Sequence, residues 1–196
     1  LEVIEEADSP WATDQVLMVT LNGPLTAEPV ENRMFGGPSD LVQLKDALDR
    51  ARKNDNLKAV LVRIDSPGGS VTASDLIYHE LKRFREETDV PLVAVIMGVG
   101  ASGGYYSAVA ADHIVAHPTS LVGSIGVIGM FPNVQGLTGK IGLEMRILKS
   151  GKFKDNGSMW RSFSPEERQM LQDMIDSMHA RFVDVVDEGR ENLTRD

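Results

Sequence analysis

Three short apolar runs, each followed by a turn rich in glycine, proline or serine, limit the possible fold more than any other feature. The runs lie at 16–21, 59–64 and 92–97, and each precedes a segment whose apolar residues recur at helical spacing. Apolar runs of this length between turn residues are typical of strands buried on both faces of a parallel sheet. The alternation of strand, turn and helix therefore predicts an α/β domain with mostly parallel strands.

The remaining elements are predicted from apolar spacing and from residues that cap helices. We expect Ser39 or Asp40 to begin a helix with Leu41, Leu44, Leu48 and Ala51 on its buried face. Three further helices are predicted, one opened by Ser74, a short one at 105–111, and a long one from Ser164 to about Glu188. Further strands are predicted at 113–116 and 144–148, and a strand or loop at 121–129.

Length and composition exclude several classes of protein. The 196 residues suffice for one domain, which we place at 16–196 after a flexible lead-in at 1–15. The absence of cysteine excludes disulfides, a thiolate nucleophile and cysteine-based metal sites. A net charge of −9 argues against general binding to nucleic acid or anionic lipid. Because the chain begins at Leu1, not Met, we expect that upstream residues have been removed.

The glycine-rich segment after the third run carries the first candidate for chemistry. Gly100-Ala-Ser-Gly-Gly104 satisfies G-x-S-x-G, follows a predicted strand and opens a predicted helix. Flanking glycines allow a tight backbone and leave room for a substrate, and the helix start favours a developing oxyanion. Ser102 is therefore a candidate nucleophile, although a glycine-rich turn needed only for packing has the same pattern.

A nucleophilic serine needs a base, and the histidines are poorly placed to supply one. His113 lies at the edge of a short strand, His117 precedes a proline, and His179 lies within the last helix. The pair His79-Glu80 is not a zinc-binding H-E-x-x-H motif, because Arg83 stands at its last position. We therefore expect no metal site.

Lysine is the alternative base, provided that it is held neutral. Lys149-Ser-Gly-Lys-Phe-Lys-Asp155 places three lysines directly after a predicted strand, although a solvated basic loop has the same composition. The turn Asp65-Ser-Pro-Gly-Gly69 adds glycine amides that can donate hydrogen bonds to an oxyanion. Together these segments contain the parts of a Ser–Lys hydrolase.

Four segments in this order resemble those of the signal peptide peptidase A family in its short, single-domain form. They are Ile64-Asp-Ser-Pro-Gly-Gly69, Gly100-Ala-Ser-Gly-Gly-Tyr-Tyr106, Gly123-Ser-Ile-Gly-Val127 and Lys149-Ser-Gly-Lys-Phe-Lys-Asp155. The likeness extends from about Val16 to Arg190. It implies a Clp-protease/crotonase-like α/β fold, a spiral of β-β-α units with a C-terminal helix.

The resemblance also implies a role for individual residues. Ser102 corresponds to the nucleophile and Lys154 to the base of a Ser–Lys dyad. Gly69 corresponds to the oxyanion donor, with Gly68 as the alternative, and Ser124 to the serine that orients the lysine. No cofactor is implied.

The implied function is a serine endopeptidase that cleaves released signal peptides and other unfolded hydrophobic peptides. The family resemblance further implies a ring-like homo-oligomer and a membrane anchor outside this sequence. The peptidase domain itself would then be soluble and lie on the extracytoplasmic side, periplasmic or extracellular. Two alternatives remain at this point, which are a crotonase-like acyl-CoA enzyme and a non-catalytic scaffold of the same fold.

Overall fold

A computed structural model describes residues 14–28 and 39–190 of the chain. The predicted lead-in at 1–15 lies outside this range except for its last two residues, and so does most of the loop predicted after the first strand. The chain divides into two compact units, one formed by 1–126 with 181–196 and the other by 127–180.

The first unit is built on a parallel sheet, which confirms the predicted α/β class. Its strands are β1 (Gln15–Asn22), β2 (Leu57–Ser66), β3 (Leu92–Ala101), β4 (His113–Ala116) and β5 (Leu121–Gly123). The order is β1-β2-β3-β4, with β5 also pairing with β3, and every pair is parallel. The three predicted apolar runs form the first three strands.

Three helices connect these strands: α1 (Asp40–Ala51), α2 (Val71–Thr88) and α3 (Gly103–Ala108). Ser39 caps α1 as predicted, by accepting a hydrogen bond from the Val42 N–H at 3.3 Å. The prediction that Ser74 opens α2 is wrong, because Ser70 accepts from the Ala73 N–H and starts the helix earlier. Ser74 instead lies inside α2, and its hydroxyl donates to the Ser70 carbonyl at 3.0 Å. The third helix begins two residues before its predicted start and ends at Ala108.

The core of the first unit lies between the sheet and these helices. It contains the alternating side chains of the central strands and the inner faces of α1 and α2. Its largest fully buried members include Ile64, Ile96, Leu44, Leu48, Ile77, Tyr78 and Phe84.

The last helix, α5 (Pro165–Gly189), confirms the predicted long C-terminal helix. Its start has the predicted cap, because Ser164 Oγ accepts from the Glu167 N–H at 3.2 Å and Glu167 accepts from the Ser164 N–H at 2.8 Å. Its final turns belong to the first unit, where the Phe182 ring lies 4.9 Å from that of Tyr106.

The second unit contains α4 (Gln135–Lys140) and the greater part of α5, joined by long stretches without regular structure. The strand predicted at 144–148 is wrong. The segment alternates apolar and polar residues, but no strand pairs with it in the described part of the chain. Its side chains are exposed, and Leu148 is 99% exposed. Apolar alternation produces a strand only where a neighbour satisfies the backbone groups.

Candidate active site

The turn that ends β2 is held by a buried serine. Ser66 is fully buried, and its hydroxyl donates to the Gly23 carbonyl at 2.6 Å. The same oxygen accepts from the Gly68 N–H at 3.1 Å. Ser66 therefore connects β1 to the backbone of the glycine turn and fixes the position of that turn.

Replacing Ser66 with alanine is expected to lower the free energy of unfolding by about 1–3 kcal/mol, since it removes the partner of the buried Gly68 N–H and of the partly buried Gly23 carbonyl. Denaturant unfolding followed by circular dichroism measures this change. The matched control is Ser177→Ala on the exposed face of α5, for which we expect almost no loss. Equal stability of the two variants would contradict a positioning role for Ser66.

The amide of Gly69 takes no part in the hydrogen bonds that hold its turn among the described residues. The flanking groups pair with Leu25, whose N–H donates to the Gly68 carbonyl at 2.9 Å and whose carbonyl accepts from Ser70 at 3.2 Å. Among residues 14–28 and 39–190 no acceptor is found for the Gly69 N–H itself. Of the two predicted oxyanion donors, Gly69 thus has the unoccupied amide, whereas the Gly68 amide is bound to Ser66.

Ser102 occupies the strand-to-helix turn between β3 and α3 in a strained backbone conformation. Its φ is 50° and its ψ is −121°, a combination that costs a non-glycine residue of order 1–3 kcal/mol. Its N–H donates to the Gly123 carbonyl at 2.8 Å, and its carbonyl accepts from Tyr106 at 2.9 Å. No hydrogen-bond partner of its hydroxyl lies in the described part of the chain, and the residue is half-buried. A serine held in a strained turn with a free hydroxyl is the arrangement of a nucleophile elbow.

The two turns pack against each other so closely that their glycines are needed. A Cβ added to Gly68 would lie 3.0 Å from Ser102 Cβ and 2.6 Å from the Gly103 nitrogen. A Cβ on Gly104 would lie 2.7 Å from the Ser66 carbonyl oxygen. Gly104 therefore also serves packing, and it is this contact between the turns that places the first turn beside Ser102.

Ser124 follows the residue that binds the Ser102 amide. It has a φ of 53°, and its side chain is exposed. The carbonyl of the preceding Gly123 accepts the Ser102 N–H, so Ser124 lies one residue from a direct contact of the candidate nucleophile. Its orienting role stays a prediction.

The three lysines of segment 149–155 differ in their partners. Lys149 Nζ binds Asp155 Oδ1 at 2.6 Å, and Lys152 forms an ion pair with Glu166. Lys154 is exposed, and no acceptor for its ammonium group is found among the described residues. Lys154 is thus the lysine of this segment that is without a carboxylate partner in the part of the chain described.

Arg161, which binds the residue after Lys154, was not identified as a candidate from the sequence. Arg161 binds Asp155 through Nε and one terminal nitrogen, each at 2.9 Å, and it also binds Glu167. These hydrogen bonds hold the pKa of both carboxyls well below their usual values. The only sequence signal was the helix cap formed by Ser164 and Glu167, which did not indicate that Arg161 connects it to Asp155.

Two of the histidines contact residues other than the candidate serine. His117 Nδ1 lies 2.9 Å from the Thr119 hydroxyl, and His79 lies 3.5 Å from an oxygen of Asp75. In the described ranges no histidine hydrogen-bonds to Ser102, and no cluster of histidine and carboxylate side chains is arranged to hold a metal ion. Within the first unit the candidate site therefore offers the Ser102 hydroxyl and the Gly69 backbone amide as its chemical groups.

Comparison with protein families gives two matches. A model described as peptidase family S49 matches residues 85–196, which include both Ser102 and Lys154. A model described as Clp protease matches residues 43–122.

Individual relatives carry protease names. The chain is 36% identical over 176 residues to Protease 4 of Salmonella typhi, covering 90% of this chain and 28% of that one. It is 33% identical over 172 residues to the chloroplastic serine protease SPPA of Arabidopsis thaliana, covering 87% and 25%. It is 32% identical over 195 residues to an Enterococcus faecium protein whose name includes signal peptide peptidase SppA, covering 96% and 55%. The chain spans about half or less of the length of these relatives. These matches and the family model confirm the predicted family resemblance.

The fold has a solved counterpart. A ClpP1 variant from Listeria monocytogenes superposes with a TM-score of 0.53 at 16% sequence identity, covering 90% of this chain and 73% of that one. This match confirms the predicted Clp-protease-like α/β fold.

Proposed function

The chain belongs to peptidase family S49, and on that premise we propose that it is a serine endopeptidase with Ser102 as nucleophile and Lys154 as general base. The observation that carries the proposal is a strained serine beside a glycine turn, where neither the Ser102 hydroxyl nor the Gly69 amide has a hydrogen-bond partner among the described residues. Both lie where parallel strands end, the edge at which α/β proteins place their chemistry.

The first half of the reaction forms an acyl-enzyme. A neutral Lys154 amine takes the proton of the Ser102 hydroxyl as Oγ attacks the scissile carbonyl carbon. The carbonyl oxygen becomes an oxyanion, and the Gly69 N–H donates a hydrogen bond to it. Lys154 then gives its proton to the leaving amine as the peptide bond breaks.

The second half regenerates the enzyme. Lys154, neutral again, takes a proton from a water molecule whose oxygen attacks the ester carbonyl. The carboxylic acid product leaves as the proton returns to Ser102 Oγ. The same serine, lysine and amide thus serve both halves, and no cofactor enters the balance.

The ion pairs of the two neighbouring lysines, Lys149 and Lys152, support Lys154 as the base. A carboxylate partner favours the charged form of an ammonium group and would keep a lysine protonated. Lys149 and Lys152 each have such a partner, whereas no acid of the described residues binds Lys154. Its exposed position means that the exclusion of water must come from bound peptide or from another subunit. Ser124 is proposed to orient it.

The substrates we propose are released signal peptides and other unfolded hydrophobic peptides, and the partners are further copies of this chain in a ring. Apolar side chains on the second unit support an assembly, because large exposed apolar side chains mark interaction surfaces. Met130 is 83% exposed and Ile128 80% exposed. Among the described residues, no helix combines the length and the apolar character that a membrane span requires. We propose that the full-length protein is membrane-anchored, with this domain on the extracytoplasmic side.

Hydrolysis of a fluorogenic peptide with an apolar stretch tests this function. We expect turnover of that peptide, slower turnover of a matched charged peptide, and no turnover of an acyl-CoA thioester, with assembly mass checked by light scattering. Thioester turnover without peptidase activity would favour the acyl-CoA alternative. An assembled protein that is inert towards all three would favour the scaffold alternative.

A further inference from the structure

Building on the proposed dyad, we propose that Arg161 is a positioning residue for Lys154. Its guanidinium group binds Asp155 and Glu167 at once and so fixes the turn that carries Lys154. It also pairs with the carboxylate of Asp155, the residue after Lys154, and so keeps that carboxylate away from the lysine. All of these residues lie in the second unit.

The turn around Lys154 has little regular structure to hold it. Residues 149–160 contain neither helix nor strand. The Lys154 N–H donates to the Gly151 carbonyl at 3.2 Å, and the Ser158 N–H to the Asp155 carbonyl at 3.0 Å. These bonds shape the turn internally. The segment is also tied to helices at Met159, whose carbonyl accepts from the Val134 N–H at 2.8 Å, and by the exposed ion pair of Lys152 with Glu166, but neither contact holds the residues directly beside Lys154. A general base on such a turn needs an anchor outside it, because misplacement of about 1 Å can cost about 100-fold in rate.

Asp155 supplies the attachment point, directly after Lys154 in the chain. Its carboxylate receives Arg161 Nε on one oxygen and a terminal nitrogen of the same guanidinium on the other, both at 2.9 Å. Lys149 Nζ donates to it at 2.6 Å. The Asp155 side chain is only 11% exposed, so these charge-assisted bonds are largely shielded from solvent.

Glu167 supplies the rigid end of the connection. Its side chain is 3% exposed, it binds two terminal nitrogens of Arg161, and it accepts from the Ser164 N–H. Glu167 is fixed in the first turn of α5. The chain of contacts therefore runs from the helix through Glu167 and Arg161 to Asp155, the residue next to the proposed base.

Only arginine can make this connection. A guanidinium group has five donors in a planar fork and can bind two carboxylates along different edges. A lysine at position 161 would have one nitrogen and could not bind both carboxylates bidentately. Arg161→Lys therefore keeps the charge but removes the geometry.

The same contacts also determine which charged side chains pair with each other around Lys154. The charges of Lys149 and Arg161 balance those of Asp155 and Glu167, and Lys152 pairs with Glu166. Without Arg161, Asp155 would keep Lys149 as its only charged partner among the described residues, and its second carboxylate oxygen would be open to the Lys154 amine, whose protonated form a carboxylate favours. Loss of Arg161 thus removes the fixed position of the proposed base and leaves a carboxylate oxygen open to it.

The test is peptide hydrolysis as a function of pH by wild type, Arg161→Gln and Arg161→Lys. We expect kcat to fall about 100-fold in Arg161→Gln, the cost of a misplaced reacting group, while KM changes little. The pH of half-maximal kcat should rise in Arg161→Gln and return towards wild type when Asp155→Asn is added. The matched control is Arg83→Gln, which breaks the exposed ion pair of Arg83 with Glu80 on α2 and should leave kcat unchanged.

A double-mutant cycle separates positioning from general destabilisation. Adding Arg161→Gln to Lys154→Ala should reduce kcat no further, because the residue acts through the lysine. Additive losses, or folded Arg161 variants with wild-type kcat and pH profile, would overturn the proposal. Should Arg161→Gln fail to fold, the folded Arg161→Lys variant decides by the same two criteria. Full activity of Lys154→Ala alone would instead overturn the dyad itself, so the two failures are distinguishable.

Discussion

Replacing Ser102 with alanine is expected to lower kcat/KM for peptide hydrolysis by about 10⁴-fold or more, the scale on which loss of a covalent nucleophile disables serine peptidases. Only the hydroxyl group is removed, and it makes no hydrogen bond within the described residues that would be lost with it. Folding should therefore be unaffected, and initial rates with matched thermal melts measure the two effects separately.

The control for this variant is Ser177→Ala, an exposed serine on α5. It should keep wild-type kcat/KM. A Ser102→Ala protein that hydrolyses the peptide within tenfold of wild type would exclude a covalent mechanism at this serine. Proton transfer from the hydroxyl to a base is by itself worth about 10² to 10⁴ in rate, and that contribution is lost together with the hydroxyl.

Replacing Lys154 with alanine is expected to lower kcat by about 10² to 10⁴, the usual contribution of a general base. Lys154→Arg should be as inactive as alanine, because a guanidinium group stays charged at every accessible pH. Wild-type activity should rise towards alkaline pH, since a lysine base acts only when neutral. A pH–rate profile from acid to alkaline conditions measures this.

The matched control is Lys152→Ala, which removes a lysine two residues away that is paired with Glu166. It should keep most of the activity. Equal losses in the two variants would show that the basic segment acts as a charged surface and that Lys154 has no special role.

The sheet and the serine turn were predictable because their signals are local. The apolar runs that form β1, β2 and β3 are recognisable from their own residues, and the turn at Ser102 follows its strand directly. The reason for the glycines was not local. Gly68 and Gly104 are needed because two turns far apart in sequence touch, and a sequence shows the glycine but not its neighbour.

The errors have the same origin. Residues 144–148 have the alternation of a strand, but whether a strand forms depends on a partner elsewhere. Ser70 and Ser74 are both acceptable caps by composition, and the choice between them depends on which oxygen reaches a free N–H of α2. The contacts of Arg161 join residues 155, 161 and 167, a spacing that belongs to no helix or strand and therefore gave no signal.

The most direct test of the central claim is mass spectrometry of the acyl-enzyme after rapid acid quench of a peptide ester reaction. We expect the wild type to carry the acyl group on Ser102, identified by peptide mapping, and expect Lys154→Ala to form this adduct far more slowly. An acyl group on another residue, or equal rates of acylation in both proteins, would contradict the proposed roles of Ser102 and Lys154.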